Sequence, residues 1–252
     1  MQAYGQGFAR IYNLRWTGFA VQMAPRIQEL YERTPAGQVN KSLLDVCCGT
    51  GQLAVYFLER GYRVAGLDLS EHMLRYAREN AARYVETGQA KFVQADASNF
   101  ALDERFGLAV STFDALNHLP DEQALAGCFR SVLNVVMPDG CFIFDLNTRA
   151  GLMRWNSINV EEDEQVVIIN RGIYDGQGKR ALTRITGFIH NPEGLYERFA
   201  ETAFNTVFEM SWVRQSLLDT GWREVYFARG QDLATPIDEP EREGRVFIVA
   251  RK

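Results

Sequence analysis

At 252 residues, with 46% hydrophobic residues and a formal net charge of −5, the chain can bury one sizeable core and lacks the basic surplus that nucleic-acid backbones select. No apolar run approaches the ~18 residues that span a bilayer, so neither a nucleic acid nor a membrane is expected as a partner. The start, MQAYGQGFAR, lacks the basic-then-apolar layout of a secretory signal, and a cytoplasmic protein is expected.

Residues 4–34 (YGQGFARIYNLRWTGFAVQMAPRIQELYERT) carry an aromatic-rich helical pattern, and residues 1–40 are expected to form a helical lid. Short β-rich runs follow at 43–48, 62–68, 91–95, 107–113 and 140–146, with amphipathic stretches between them. That alternation predicts a doubly wound α/β fold built on a parallel sheet. The first intervening helix carries Leu53, Phe57 and Leu58 on one side and stops at Gly61. The second is capped by Ser70 and packs through Met73, Ala77 and Ala81. From 151 to 205 the pattern turns β-rich and is broken by the turn sequences DGQG and NPEG, which predicts an antiparallel insertion. A helix over 208–219 ends before Gly221; WREVYFAR and RVFIVAR, separated by a loop at 230–244, then complete a seven-stranded sheet. The α/β domain accordingly comprises 41–150 and 206–252, with 151–205 inserted in it.

The cysteines Cys47, Cys48, Cys128 and Cys141 show no paired C-x-x-C spacing and no neighbouring histidine cluster, so they read as small apolar residues. In a parallel sheet, ligands bind beyond the carboxyl ends of the strands. Those ends carry Asp45 with Gly49 and Gly51, then Asp68, Asp96, Phe113 with Asp114, and Asp145 with Asn147. Gly49, Gly51 and Ala54 have the spacing of a dinucleotide turn, and Asp68 stands where a carboxylate accepts ribose hydroxyls. Asp45, however, would repel a pyrophosphate at the mouth of that turn. Asp96 can accept from an adenine amino group while the Ala97 N–H serves a ring nitrogen. The pattern suits an adenosine cofactor with a positive centre and no phosphates.

The stretches LLDVCCGTGQLA, VAGLDLSEHMLRYAREN, FVQADASNF, FGLAVSTFDALNHL and LNVVMPDGCFIFDLNT together resemble the successive motifs of class I S-adenosylmethionine-dependent methyltransferases, closest to the small-molecule branch. The resemblance implies a Rossmann-like methyltransferase sheet whose antiparallel insertion covers the substrate. It also implies S-adenosylmethionine as cofactor, and methyl transfer to nitrogen or oxygen of a small metabolite, with nitrogen favoured. Asp45, Gly49 and Gly51 would surround the methionine ammonium and sulfonium, with the Phe113 carbonyl accepting from the ammonium. Asp68 would take the ribose, Leu69 and Met73 the adenine faces, and Asp96 and Ala97 its edge. Cys47 replaces the first glycine of the turn motif, which a negative φ there would tolerate. Tyr12, in a Tyr-Asn that resembles the branch's Tyr-Asp, would close over the methionine end together with Trp16.

For the acceptor, LYERFAETAF resembles the branch's Arg…Glu pattern at Arg198 and Glu201, and Trp155 and Tyr196 join them as cap residues, together suited to a polar metabolite such as an amino sugar. His118 is the candidate general base, whereas His190 reads as a solvated turn residue. Asp114, Asp145 and Asn147 imitate the ligands of metal-dependent O-methyltransferases, but Asp145 ends an apolar strand with no further acids beside it, and no metal is expected. Two rival readings stand beside this one. An NAD(P)-dependent oxidoreductase would use the glycine turn and Asp68, against Asp45 and Asp96. A non-catalytic S-adenosylmethionine-binding regulatory subunit would need an interaction surface that no obvious tail supplies.

Overall fold

The computed structural model describes residues 4–191 and 193–252. The first three residues of the expected lid, and Pro192 of the NPEG turn, lie outside the described residues. Three helices come first: α1 (Gln6–Arg15), α2 (Gly18–Glu32) and α3 (Pro35–Val39). Strands and helices then alternate through β1 (Ser42–Val46), α4 (Gln52–Leu58), β2 (Arg63–Asp68), α5 (Glu71–Asn80), α6 (Ala82–Glu86) and β3 (Ala90–Gln94). β4 (Phe106–Ser111), α7 (Glu122–Val135), β5 (Val136–Asn147) and the one-turn α8 (Arg149–Leu152) follow. The inserted strands are β6 (Ile158–Glu162), β7 (Val166–Asp175), β8 (Arg180–His190) and β9 (Tyr196–Thr206). The chain closes with α9 (Met210–Thr220), β10 (Glu224–Arg229), β11 (Asp232–Pro236) and β12 (Arg245–Arg251).

The main sheet has the order β11-β10-β12-β5-β4-β1-β2-β3, parallel from β5 to β3 and antiparallel from β5 outward through β12 and β10. Because β1 lies between β2 and β4, the connections leave it toward opposite sides. The carboxyl ends of β1 and β4 therefore open a crevice at the switch point. β1 and β4 are buried along their whole length because helices cover both faces. On one face Leu44, Phe142 and Phe144 pack with Phe129 of α7 and Leu217 of α9; on the other Leu43, Leu108 and Ile143 pack with Ile27 of α2 and Phe57 of α4. Each such side chain contributes roughly 1.5–3 kcal/mol by leaving water.

The second sheet, β6-β7-β8-β9, is antiparallel throughout, and pleat alternation gives it two unlike faces. Val166, Ile168, Ile185 and Ile189 point inward against Phe8 and Ile11 of α1 and Met73 of α5. Ile158, Val160 and Ile173 are exposed. The side chain of Phe199 fills the space left by two glycines, since a Cβ on Gly187 would lie 2.0 Å from its ring and one on Gly7 2.6 Å from its Cβ. This inward face sits above the crevice.

Two details extend the sequence reading. The loop at 230–244 contains β11, which folds back antiparallel on β10 with a bulge at Ala228 and Arg229, adding an eighth strand at the sheet's edge. The fifth strand begins at Val136, and its MPDG segment forms an irregularity between Val136, which pairs with Phe106, and Cys141, which pairs with Leu108, with Asp139 in the left-handed region at φ 60°.

Candidate active site

After β1 the backbone takes three left-handed residues in quick succession, Cys47 (φ 59°), Gly49 (φ 54°) and Gly51 (φ 82°). A negative φ at Cys47 is therefore not what the turn adopts. Cys47 carries a strain of roughly 1–2 kcal/mol that a glycine would avoid, held by the flanking hydrogen bonds. Gly51 has a second reason to lack a side chain: a Cβ there would lie 3.1 Å from the Ala77 Cα of α5. Three of the turn's donors are already spent. Cys48 N–H donates to the Leu67 carbonyl at 2.9 Å, Gly51 N–H to the Cys48 carbonyl at 3.0 Å, and Gly49 N–H to Oδ2 of Asp68 at 2.9 Å. A pyrophosphate would meet a carboxylate where it needs free N–H groups.

Asp68 also accepts the Ser70 N–H at 2.9 Å through Oδ1, so both carboxylate oxygens are oriented and each retains acceptor capacity. Burial raises its pKa, and the N–H groups of Ser70 and Gly49 oppose that rise. Beneath the turn, Asp45 is buried with Oδ2 unpaired. Burial, followed by the neighbouring Asp68 charge, pushes its pKa up to about 8. This pair of acids has an unmet demand for positive charge.

After β4, Phe113 (φ 66°) and Asp114 (φ 49°) are both left-handed, which costs non-glycine residues roughly 1–3 kcal/mol each. Asp145, fully buried on β5, accepts the Phe113 N–H at 2.7 Å and the Asp114 N–H at 2.9 Å, one on each oxygen. Arg245, the first residue of β12, reaches Asp145 at 2.5 Å with Nη1 and Asp114 at 2.6 Å with Nη2. Its guanidinium lies 4.7 Å from the Phe19 ring centre and 5.5 Å from that of Phe113. Burial raises the Asp145 pKa while Arg245 opposes it. Asn205 of β9 donates to the other oxygen of Asp114 at 2.8 Å.

His118 follows in a short 3₁₀ turn. Its Nδ1 is 2.8 Å from the Phe204 carbonyl, which can only accept, so Nδ1 carries the proton and Nε2 is the acceptor. Tyr4 Oη, 3.0 Å from Nε2, is its donor. The Tyr4 segment is fixed across the crevice: Ser70 Oγ donates to the Tyr4 carbonyl at 2.6 Å, and the Gly5 N–H donates to Oε1 of Glu201 at 3.0 Å. Beyond it the Tyr12 ring lies over Gly49, 3.5 Å from where a Cβ would be, and meets Trp16 at a centroid distance of 6.2 Å.

One cavity of about 580 Å³ joins these parts. Of the residues singled out in the sequence, Cys47, Gly49, Asp68, Leu69, Met73 and Phe113 line its inner end. Tyr12, Trp16 and His118 close its side, and Trp155 and Glu201 line the cap end. Asp45 and Gly51 support the turn from behind. Asp96 and Ala97 lie outside the lining, with Oδ1 of Asp96 accepting from the Ser98 N–H at 2.8 Å and Oγ at 2.7 Å.

Arg198 and Tyr196 do not reach the cavity. Arg198 stands an odd number of residues from Glu201 on β9, and alternation turns it to the outer face. Tyr196 is exposed and packs edge-on to His190, 5.3 Å between centroids. Sequence reasoning missed Tyr4, Arg245 and the polar cap residues Asn159, Asn170 and Thr183, which also line the cavity.

Comparison with known proteins defines the class. A methyltransferase-domain family matches residues 43–140. YqeM of Bacillus subtilis is 26% identical over 231 residues, 86% of each chain. A dTDP-3-amino-3,4,6-trideoxy-alpha-D-glucopyranose N,N-dimethyltransferase from Streptomyces venezuelae is 25% identical over 238 residues, 90% of this chain and 94% of that one. The crystal structure of an S-adenosylmethionine-dependent methyltransferase from Clostridium acetobutylicum shares the fold, with a TM-score of 0.79 at 21% identity over 97% of both chains. Residues 43–140 carry a methyltransferase domain, and the fold is shared with solved methyltransferases bound to S-adenosylmethionine. The site fits that group: it offers carboxylates and an unpaired buried oxygen to a cation, and the Gly49 N–H that would face a phosphate donates to Asp68 instead. Among the described residues no helix is long and apolar enough to cross a membrane.

Proposed function

We propose that the protein methylates a nitrogen of a polar small molecule, an amino sugar or a comparable hydroxylated amine, with a hydroxyl oxygen as the other acceptor class. The observation that carries this reading is the shared cavity, whose inner end is acidic and whose outer end presents the uncharged hydrogen-bonding side chains of Asn159, Asn170 and Thr183 beside Trp155, Ile185 and the charged Arg154 and Glu201. Hydroxyls on a ring would pair with the polar side chains and its apolar face would lie on Trp155 and Ile185. Oδ1 of Asn170 is buried and unpaired. The N,N-dimethyltransferase relative, named for a dTDP-linked amino sugar, supports a nitrogen acceptor.

When bound, S-adenosylmethionine supplies an electrophilic methyl on a sulfonium. In this reading Asp45 and the Gly49–Gly51 turn face its methionine end with the Phe113 carbonyl, Asp68 holds the ribose, and Leu69 and Met73 pack on the adenine. Tyr12 and Trp16 cover the charge and keep water out, residues 4–40 acting as lid and 151–205 as cap. Trp155 and Glu201 bound the acceptor. Alignment supplies much of the acceleration, and burial keeps an amine neutral and nucleophilic. His118 Nε2 takes up the proton that the amine releases, relayed through Tyr4 Oη. A cytoplasmic location accompanies this role, where S-adenosylmethionine is available.

The test is ligand-induced stabilisation of the protein loaded with S-adenosylhomocysteine, screened against amino sugars and their hydroxyl counterparts. A further rise in melting temperature with an amino sugar, reduced in Asn170→Leu, is expected. A rise unaffected by that substitution, or none with any sugar, would contradict the assignment of the cap.

A further inference from the structure

Two consecutive non-glycine residues with left-handed backbone stand at the cofactor end of the cavity, and their conformation is not explained by their own side chains. Phe113 and Asp114 have φ 66° and 49°, and both N–H groups end on one buried carboxylate, that of Asp145, at 2.7 and 2.9 Å. Asp145 is not free to turn, because Nη1 of Arg245 holds it at 2.5 Å and Nη2 holds Asp114 at 2.6 Å. Arg245 is fixed in turn by the rings of Phe19 and Phe113. A carboxylate that accepts two successive N–H groups determines the plane of the peptide between them, and that plane carries the Phe113 carbonyl.

We propose that Asp145 and Arg245 are positioning residues for cofactor binding: they lock the Phe113–Asp114 backbone so that the Phe113 carbonyl meets the amino-acid end of the cofactor. The inference rests on the placement of the methionine end beside Phe113. Arg245 also explains why the lock sits on the antiparallel side of the sheet. It starts β12, whose register pairs Arg245 with Asn147 and Phe247 with Asp145, so the guanidinium lies over the end of β5. A buried ion pair whose only role was to stabilise the fold would affect every ligand of the cavity alike.

The experiment compares S-adenosylhomocysteine with methylthioadenosine, which keeps the nucleoside and thioether but lacks the amino acid. Both are titrated calorimetrically into wild type, Asp145→Asn and Arg245→Gln. Leu217→Ala, a destabilising change in α9 remote from the cavity, serves as the control for lost stability, and all proteins are measured where their melts show them folded. Affinity of the two lock variants for S-adenosylhomocysteine should fall about tenfold or more, while affinity for methylthioadenosine stays within about twofold of wild type. Equal losses for both ligands, or no loss for either, overturn the inference. Should Asp145→Asn fail to fold, Arg245→Gln decides by the same comparison. If wild type binds methylthioadenosine as tightly as S-adenosylhomocysteine, the placement of the methionine end itself fails.

Discussion

The hydroxyl of Tyr4 and the imidazole of His118 form a hydrogen bond of 3.0 Å whose direction is set by a third group, the Phe204 carbonyl on the far side of the ring. Tyr4 belongs to the segment ahead of α1 and Phe204 to β9, so His118 ties that segment to the inserted sheet. Tyr4→Phe removes the relay and leaves the ring stacked on Phe8 at 4.1 Å. His118→Asn removes the proposed base. Each should lower kcat by about 10²–10⁴-fold, the range for general-base catalysis, with the dissociation constant for S-adenosylmethionine unchanged. Steady-state kinetics with calorimetric binding separates the two, and an unchanged kcat would remove the pair from catalysis.

Tyr12 covers Gly49 in the lid reading, where a cation beneath the ring gains ~0.5–2 kcal/mol. Tyr12→Ala should shrink the rise in melting temperature caused by saturating S-adenosylmethionine. Were the ring only packing, wild type and variant would show the same cofactor-induced rise, each from its own baseline.

Asp45 gives stability a pH dependence whose sign follows from its raised pKa. In the unfolded chain it loses its proton near its ordinary value of 3.8, whereas in the fold it keeps it until about 8. Between those values folding takes up a proton, so this group's contribution is most favourable at low pH and declines as pH rises, by up to about 1.4 kcal/mol per unit. Asp68 and Asp145, also raised by burial, act in the same direction. Urea unfolding of the cofactor-free protein at pH 5, 6, 7 and 8 should show falling stability, with a slope shallower by about one proton in Asp45→Asn. An identical slope in the variant would place the titration elsewhere.

Activity should survive exhaustive chelation. Asp114 and Asp145, the acids best placed to imitate metal ligands, already bind Arg245. Loss of turnover in EDTA with recovery in Mg²⁺ would recast them.

What the sequence disclosed was whatever repeats locally along the chain. Asp45, Gly49, Asp68, Ser70 and Met73 were legible because each occupies a fixed place in a strand–turn–helix unit, and strand ends in a parallel sheet converge. Cys47 was misjudged because a residue's φ depends on the hydrogen bonds of its neighbours, here Cys48 to Leu67 and Gly49 to Asp68. Arg245 could not be found because only the register of β12 on β5 brings it to Asp145. Arg198 and Glu201 stand together only in a family pattern, and the phase of β9 separates them onto opposite faces. Tyr4 reaches His118 through tertiary packing alone, a contact with no local signature.

The most direct measurement is transfer of label from methyl-labelled S-adenosylmethionine to a matched pair of sugars that differ only in an amino or hydroxyl group, followed by mass analysis of the product. The account predicts labelled N-methyl product, with one S-adenosylhomocysteine formed per methyl transferred. Label on the hydroxyl sugar alone, or on neither sugar by a protein that binds both cofactor and sugar, would contradict it.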